Sequence, residues 1–263
     1  MNGKVWAVSR WYIAHTMHAP TVPIIPPEML LLAYRSGIFP MADGREDAEI
    51  FYVEPRRRAI IPLAGFACSR SLAKLLRRDR FRVTCNADFA GVIAACAEPR
   101  PDHPETWISR RIEASYRAMH AAGYAHSIEV WDGDALAGGL YGVAFDRVFC
   151  GESMFTRADN ASKVALAWLV ATMRVARMEL LDCQFMTEHL ASLGAIEISQ
   201  DDYCERLARA QAAGPGAALA LGAGLGVTGA GVAVGLPEGF AVLVGAGASS
   251  PGKLIAQLLT HTS

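Results

Sequence analysis

Apolar residues follow two rhythms along this chain. Some segments repeat them at helical spacing, and others carry short apolar runs bounded by turn residues. Residues 24–40 predict a short helix: Pro27 at the first helical position, Leu30, Leu31 and Tyr34 on one stripe, Gly37 at the close. A polar turn leads to the apolar entry at Phe51 and Tyr52, and a basic turn at 56–58 leads to a short strand. Ser69 is placed to cap a helix over 70–78 with Leu72, Leu75 and Leu76 inward. A strand FRVTCN, a helix after Asn86 and a helix over about 109–121 come next, with a Pro-rich loop at 98–106 between the two helices. Residues 126–152 read as three strands joined by turns at Asp132-Gly133 and Phe145-Asp146-Arg147. Asp159 or Asn160 is expected to cap a long helix. The apolar run ELLDCQFM then returns as a buried strand, an order that suggests a parallel crossover. A short helix, the strand AIEIS and a helix over 201–212 complete an α+β pattern without internal repeat.

The ends fit this pattern poorly. Residues 1–23 are interrupted by Ser9, Arg10, His15 and His18, and read as a poorly ordered extension rather than a signal peptide. Residues 217–236 are uncharged and long enough to span a bilayer, yet six of the twenty are glycine and no basic flank or aromatic anchor accompanies them. The preferred reading of 213–263 is an Ala/Gly-rich flexible extension, with no membrane contact. The organisation expected is therefore 1–23 extension, 24–60 small N-terminal domain, 61–212 main domain and 213–263 extension.

Net charge is −1, so no global field draws in nucleic acid, and any contact must be local. Residues 56–82 hold nine basic residues and only Asp79 as an acid. A solvated helix face is the plain reading of such a run. Its density in a nearly neutral chain points instead to phosphate contacts, with Arg70, Lys74, Arg77, Arg78 and Arg80 as candidates. The six cysteines form no CxxC pair and read as reduced thiols, with no metal site. Asp182 and Gln184 lie two apart on a strand and share a face, with Cys183 on the other. An Asp in an apolar strand is costly unless paired, so it either anchors a local network or serves chemistry.

Five segments carry a resemblance: LLAYRSGIFPM (31–41), ETWI (105–108), GGLYGVAFDRVFCGESMF (138–155), DNASK (159–163) and DCQFMTEHLASLGA (182–195). Together and in order they resemble the bacterial leucyl/phenylalanyl-tRNA–protein transferases over about residues 24–210. The resemblance implies a small N-terminal domain followed by an acetyltransferase-like (GNAT-type) mixed-sheet domain. It implies a cytoplasmic transferase, taken here as a monomer. The enzyme would move Leu, Phe or Met from aminoacyl-tRNA to proteins beginning with Arg or Lys, marking them for degradation.

The chemistry so implied is acyl transfer from a ribose ester to an α-amine. The ester is already activated, so no ATP or other cofactor is expected. The acceptor amine has a pKa of about 7.7–8.0, so a proton must be managed. The family's matching Asp and Gln have been proposed as a relay, which assigns catalysis to Asp182 and Gln184; orientation alone is the milder role. Glu152, at a strand end, either holds the acceptor's cationic residue or amine, or forms a surface ion pair. An apolar donor pocket would involve Leu140, Phe149 and Met154, with Trp107 as a platform, although core packing is the commoner fate of such residues. Where many members have Trp-Trp-Ser, this chain has Phe51, Tyr52 and Val53, and Tyr52 is the candidate for stacking on the tRNA's terminal base. Thr187 and Glu188 replace a frequent Asn and Asp, while His189 and Ser192 match. A coenzyme A-dependent acetyltransferase would want a glycine-rich turn before the long helix, and GESMFTRADNAS lacks it. An arginine-transferring relative would want acids in the donor pocket. A non-catalytic tRNA-binding or membrane-tethered module is the remaining alternative.

Overall fold

A computed structural model describes residues 23–99, 105–212, 235–246 and 250–260. Helix α1 (Pro27–Arg35) starts on proline and ends at Gly37, whose φ of +81° suits a residue without Cβ. Strands β1 (Phe39–Met41) and β2 (Phe51–Val53) form a two-stranded antiparallel sheet. The chain then enters a seven-stranded sheet at β3 (Arg57–Ile61). Helix α2 (Arg70–Arg77) is capped by Ser69, whose hydroxyl accepts from Leu72 N at 3.2 Å. Strand β4 (Arg82–Cys85) precedes α3 (Phe89–Cys96), which is capped by Asp88 through Gly91 N. Asn86 serves the preceding turn instead, at φ +59°, where its amide oxygen takes the N–H of Ser127. Helix α4 (Arg110–Ala121) and the meander β5 (Ala125–Asp132), β6 (Ala135–Phe145) and β7 (Val148–Thr156) follow.

Helix α5 (Ala161–Val175) leads to β8 (Leu180–Gln184), α6 (Glu188–Ala191), β9 (Ile196–Ser199) and α7 (Gln200–Ala212). Asn160 precedes α5 in the left-handed region, φ +65°, and neither it nor Asp159 provides the expected side-chain cap. Strand order is β4-β5-β6-β7-β8-β3-β9. Every neighbouring pair is antiparallel except β7–β8, the pair that the α5 crossover makes parallel. One core lies between the sheet and α5, and a second lies on the opposite face under α1, α3, α4 and α7.

The expectation of a flexible tail does not hold for Leu236–Ala246 and Pro251–Thr260. Helices α8 (Leu236–Ala246) and α9 (Pro251–Thr260) pack on α5 and α2. The reason is α5 itself, which is apolar on nearly every side and needs cover on the face away from the sheet. Trp168 meets Phe240 with ring centroids 5.2 Å apart, and Arg174 donates to Leu258 O at 2.6 Å. Asp79 accepts from Gly252 N at 2.8 Å, fastening the start of α9 to the end of α2. The readings made for residues 1–22 and for the uncharged run within 213–234 lie outside the described residues. Among the described residues no single helix is long and apolar enough to cross a membrane.

Glu129 is wholly buried on β5 and accepts from Thr84, Ser127 and the backbone N–H groups of Ala87 and Asp88. Glu129→Ala leaves these donors without an acceptor and is expected to lower unfolding free energy by about 3 kcal/mol. Urea denaturation at neutral pH measures it; an unchanged midpoint contradicts the assignment.

Candidate active site

The parallel pairing of β7 and β8 covers only Val148–Cys150 against Leu180–Asp182. Beyond it β7 continues to Thr156, while β8 stops at Gln184. Two parallel strands that part in this way leave backbone and side chains facing a gap. A cleft of about 590 Å³ fills it. Leu140, Met154, Leu166, Leu169, Leu181 and Leu190 make its walls apolar, and Glu152 and Gln184 bring polar atoms to it.

Asp182 does not line this cleft. It is fully buried and held by Arg58, whose Nε and Nη2 donate to Oδ1 and Oδ2 at 2.9 and 2.5 Å. The guanidinium lies between the rings of Phe39 and Tyr203, 4.8 and 4.2 Å from their centroids. It also donates to Gly37 O at 3.0 Å, and Tyr203 OH donates to Asp182 Oδ2 at 3.1 Å. Burial alone would lower the Arg58 pKa, but the adjacent Asp182 carries it above the ordinary value. The buried pair is thus tied on several sides, with Arg58 also donating to Tyr203 OH at 3.3 Å. Asp182 Oδ1 also accepts Gln184 N at 2.9 Å, and this contact holds Gln184 at φ +56°. A non-glycine residue there is strained by about 1 kcal/mol or more, which the buried pair sustains.

Gln184 passes this order on to Glu152. Its Nε2 donates to Glu152 Oε1 at 3.0 Å, and Tyr116 OH donates to Oε2 at 2.9 Å. Tyr116 and Tyr34 share a hydrogen bond behind it, both rings buried. Burial raises the Glu152 carboxyl to about 8, against the lowering effect of the tyrosine hydroxyls and with a smaller upward push from Asp182. At neutral pH Glu152 thus keeps its proton for most of the time. The floor of the cleft presents an amide, an acid poised near neutrality and no fixed charge, next to an apolar wall.

The sequence candidates divide. Leu140, Met154, Glu152 and Gln184 meet at the cleft. Phe149 is wholly buried beneath Gly142, where a Cβ would come within 2.5 Å of its ring, so it packs the core and does not line the cleft. Trp107 packs beside the second core, away from the cleft lining. Tyr52 is exposed on the small sheet, also outside the lining. Arg70, Lys74 and Arg77 of α2, and Arg78 just after it, are exposed to solvent. Arg80 is engaged by Asp132 through two 2.6 Å contacts, and Arg58, counted with the basic segment, belongs to the interior. His189 lines the cleft, with burial first and Lys163 second lowering its pKa. Sequence reasoning missed Arg58, Tyr34, Tyr116 and Tyr203. A buried Asp in an apolar strand requires a cation, which was a usable signal for an arginine; the tyrosines gave none.

The chain matches the family model described as leucyl/phenylalanyl-tRNA protein transferase over residues 60–208, and the model of that enzyme's N-terminal domain over 25–56. It is 61% identical over 255 residues to the leucyl/phenylalanyl-tRNA–protein transferase of Novosphingobium aromaticivorans, covering 91% of this chain and 97% of that one. The enzyme of the same description from Zymomonas mobilis is 57% identical over 184 residues, covering 70% and 69%. That from Rhizorhabdus wittichii is 55% identical over 196 residues, covering 74% and 79%.

Proposed function

We propose, from the premise that the chain belongs to the leucyl/phenylalanyl-tRNA–protein transferase family, that it moves Leu, Phe or Met from aminoacyl-tRNA onto the N-terminal Arg or Lys of acceptor proteins and so marks them for degradation. The observation that carries this reading is the meeting of an apolar cleft with the Gln184–Glu152 pair. The wall of Leu140, Met154, Leu166 and Leu169 takes the donor's side chain. One methylene in such a pocket discriminates by only about 1–3 kcal/mol, so several apolar donors are accepted.

The acceptor amine attacks the ester carbon, a C–N bond forms, and the ribose hydroxyl leaves. Gln184 orients the amine or the carbonyl, and Glu152 holds the proton that must move between nitrogen and leaving oxygen. Asp182 is a positioning residue in this scheme, acting through the Gln184 backbone. The divergence of the parallel β7–β8 pair supports an acetyltransferase-like reading of the main domain. The protein is read as a cytoplasmic monomer.

The exposed cations of α2 are read as contacts to the tRNA backbone, with Tyr52 as a stacking platform for the terminal base. Lys74→Ala/Arg77→Ala is expected to weaken binding of charged tRNA and to reduce the slope of log affinity against log salt by about 1 per lost contact. Filter binding between 50 and 200 mM salt is the check, since the wild type should lose affinity steeply there. An unchanged slope removes α2 from the interface.

A further inference from the structure

The mouth of the cleft holds a charge arrangement that the scheme above does not use. Glu98 follows the C-terminal end of α3 and lines the cleft together with Phe155 and Arg157. Arg157 Nη2 donates to Glu98 Oε1 at 2.6 Å, and its guanidinium stands 5.2 Å from the Phe155 ring centroid. A carboxylate, an aromatic ring and a helix C-terminus each favour a cation. The spot is therefore suited to a positively charged side chain, and the chain's own arginine fills it.

That occupancy is easily reversed. The Arg157 and Glu98 side chains are 47% and 58% exposed, and an ion pair so open to water contributes little to stability. Glu152, deeper in the cleft, is a poor alternative holder of a guanidinium. Burial raises its carboxyl to about 8, so near neutral pH it offers mostly a protonated acid. Glu98 is the more exposed of the two carboxylates that line the cleft.

We propose that Glu98, with the Phe155 ring beside it, binds the positively charged side chain of the acceptor's N-terminal residue, and that Arg157 occupies this subsite until the acceptor displaces it. The proposal rests on the reading of the cleft as an aminoacyl-transfer site. It accounts for selection of Arg or Lys by exchange of one cation for another, without a deep charged pocket. Removing Arg157 frees the subsite; removing the Glu98 charge abolishes its preference.

The test uses full-length wild type, Glu98→Gln and Arg157→Ala, with peptides beginning with Arg or Ala. Peptide binding is read by fluorescence anisotropy, and transfer by label passing from Leu-tRNA. Glu98→Gln should raise the KM for the Arg-initiated peptide about tenfold, leaving kcat and the KM for tRNA within twofold. Arg157→Ala should lower that peptide KM several-fold, and both variants should treat the Ala-initiated peptide alike. An unchanged peptide KM in Glu98→Gln, alongside wild-type transfer, overturns the subsite. A raised KM for tRNA in Arg157→Ala, with peptide use unchanged, also overturns it and gives Arg157 to the tRNA. Glu98-dependent binding of the Arg-initiated peptide without any label transfer keeps the subsite and overturns the transferase reading instead.

Discussion

Arg58→Met is expected to lower unfolding free energy by about 3–5 kcal/mol and to reduce transfer on the order of 100-fold. The substitution leaves Asp182 buried without its cation, held only by the neutral partners Tyr203, the Gln184 backbone and the Cys150 thiol. The carboxylate also loses the two contacts that fix its orientation toward Gln184 N. Gln184 then leaves its left-handed conformation, and its amide loses register with Glu152. Arg58→Lys should rescue little, because one ammonium cannot reproduce two parallel contacts to the carboxylate, the bond to Gly37 O and the fit between two rings. The double variant Arg58→Met/Asp182→Leu separates the two roles. Replacing a buried pair by apolar groups is often neutral or stabilising, so stability should return to within about 2 kcal/mol of wild type. Transfer should stay low, since Gln184 N still lacks its acceptor. Denaturation and transfer rates on the three proteins measure this; recovery of activity in the double variant contradicts a positioning role for Asp182.

Glu152→Gln should make the protein more stable at alkaline pH while impairing transfer. The folded carboxyl titrates near 8, above its ordinary value of 4.5. Between those values the unfolded chain has released the proton and the folded protein still holds it. The unfolded state binds fewer protons there, so stability falls as pH rises through the window and levels off above about 8. Below about 4.5 the group contributes no pH dependence. The neutral amide has no such cost, so the stability difference between variant and wild type should widen from pH 4.5 to 8, reaching on the order of 5 kcal/mol. Parallel stability curves across that range would contradict an elevated Glu152 pKa. A gain in stability joined to a loss of activity is expected where a site is held in an unfavourable state for function.

Much of the fold was legible because its signals are local. Pro27 and Gly37 bounded α1, Ser69 capped α2, and Asp132-Gly133 turned the β5–β6 hairpin. The helix expected after Asn86 begins at Phe89, capped by Asp88, while the tertiary fold sends the Asn86 side chain across to β5. The docking of α8 and α9 was hidden by the Ala/Gly run before them, although the all-round apolar character of α5 called for a cover. In the site, the i and i+2 spacing of Asp182 and Gln184 placed both on one side of β8. It did not show that Asp182 is sealed inside, because Arg58 arrives from β3, 124 residues earlier. Phe149 and Met154 look equally suited to a pocket in sequence. The register of β7 against β6 and β8 sends one into the core and the other to the cleft wall.

The central claim is that Gln184, set by the Arg58–Asp182 pair, works with Glu152 in aminoacyl transfer. The most direct test follows radiolabelled leucine from Leu-tRNA to a peptide beginning with Arg, using the wild type and Gln184→Ala, with circular dichroism to confirm equal folding. The account predicts label in the peptide for the wild type. For Gln184→Ala it predicts a fall in kcat of about 100-fold, with the KM for tRNA little changed, because an orienting contact is lost while the cleft and the α2 surface remain. Wild-type turnover by Gln184→Ala, or release of free leucine by the wild type without peptide labelling, would contradict it.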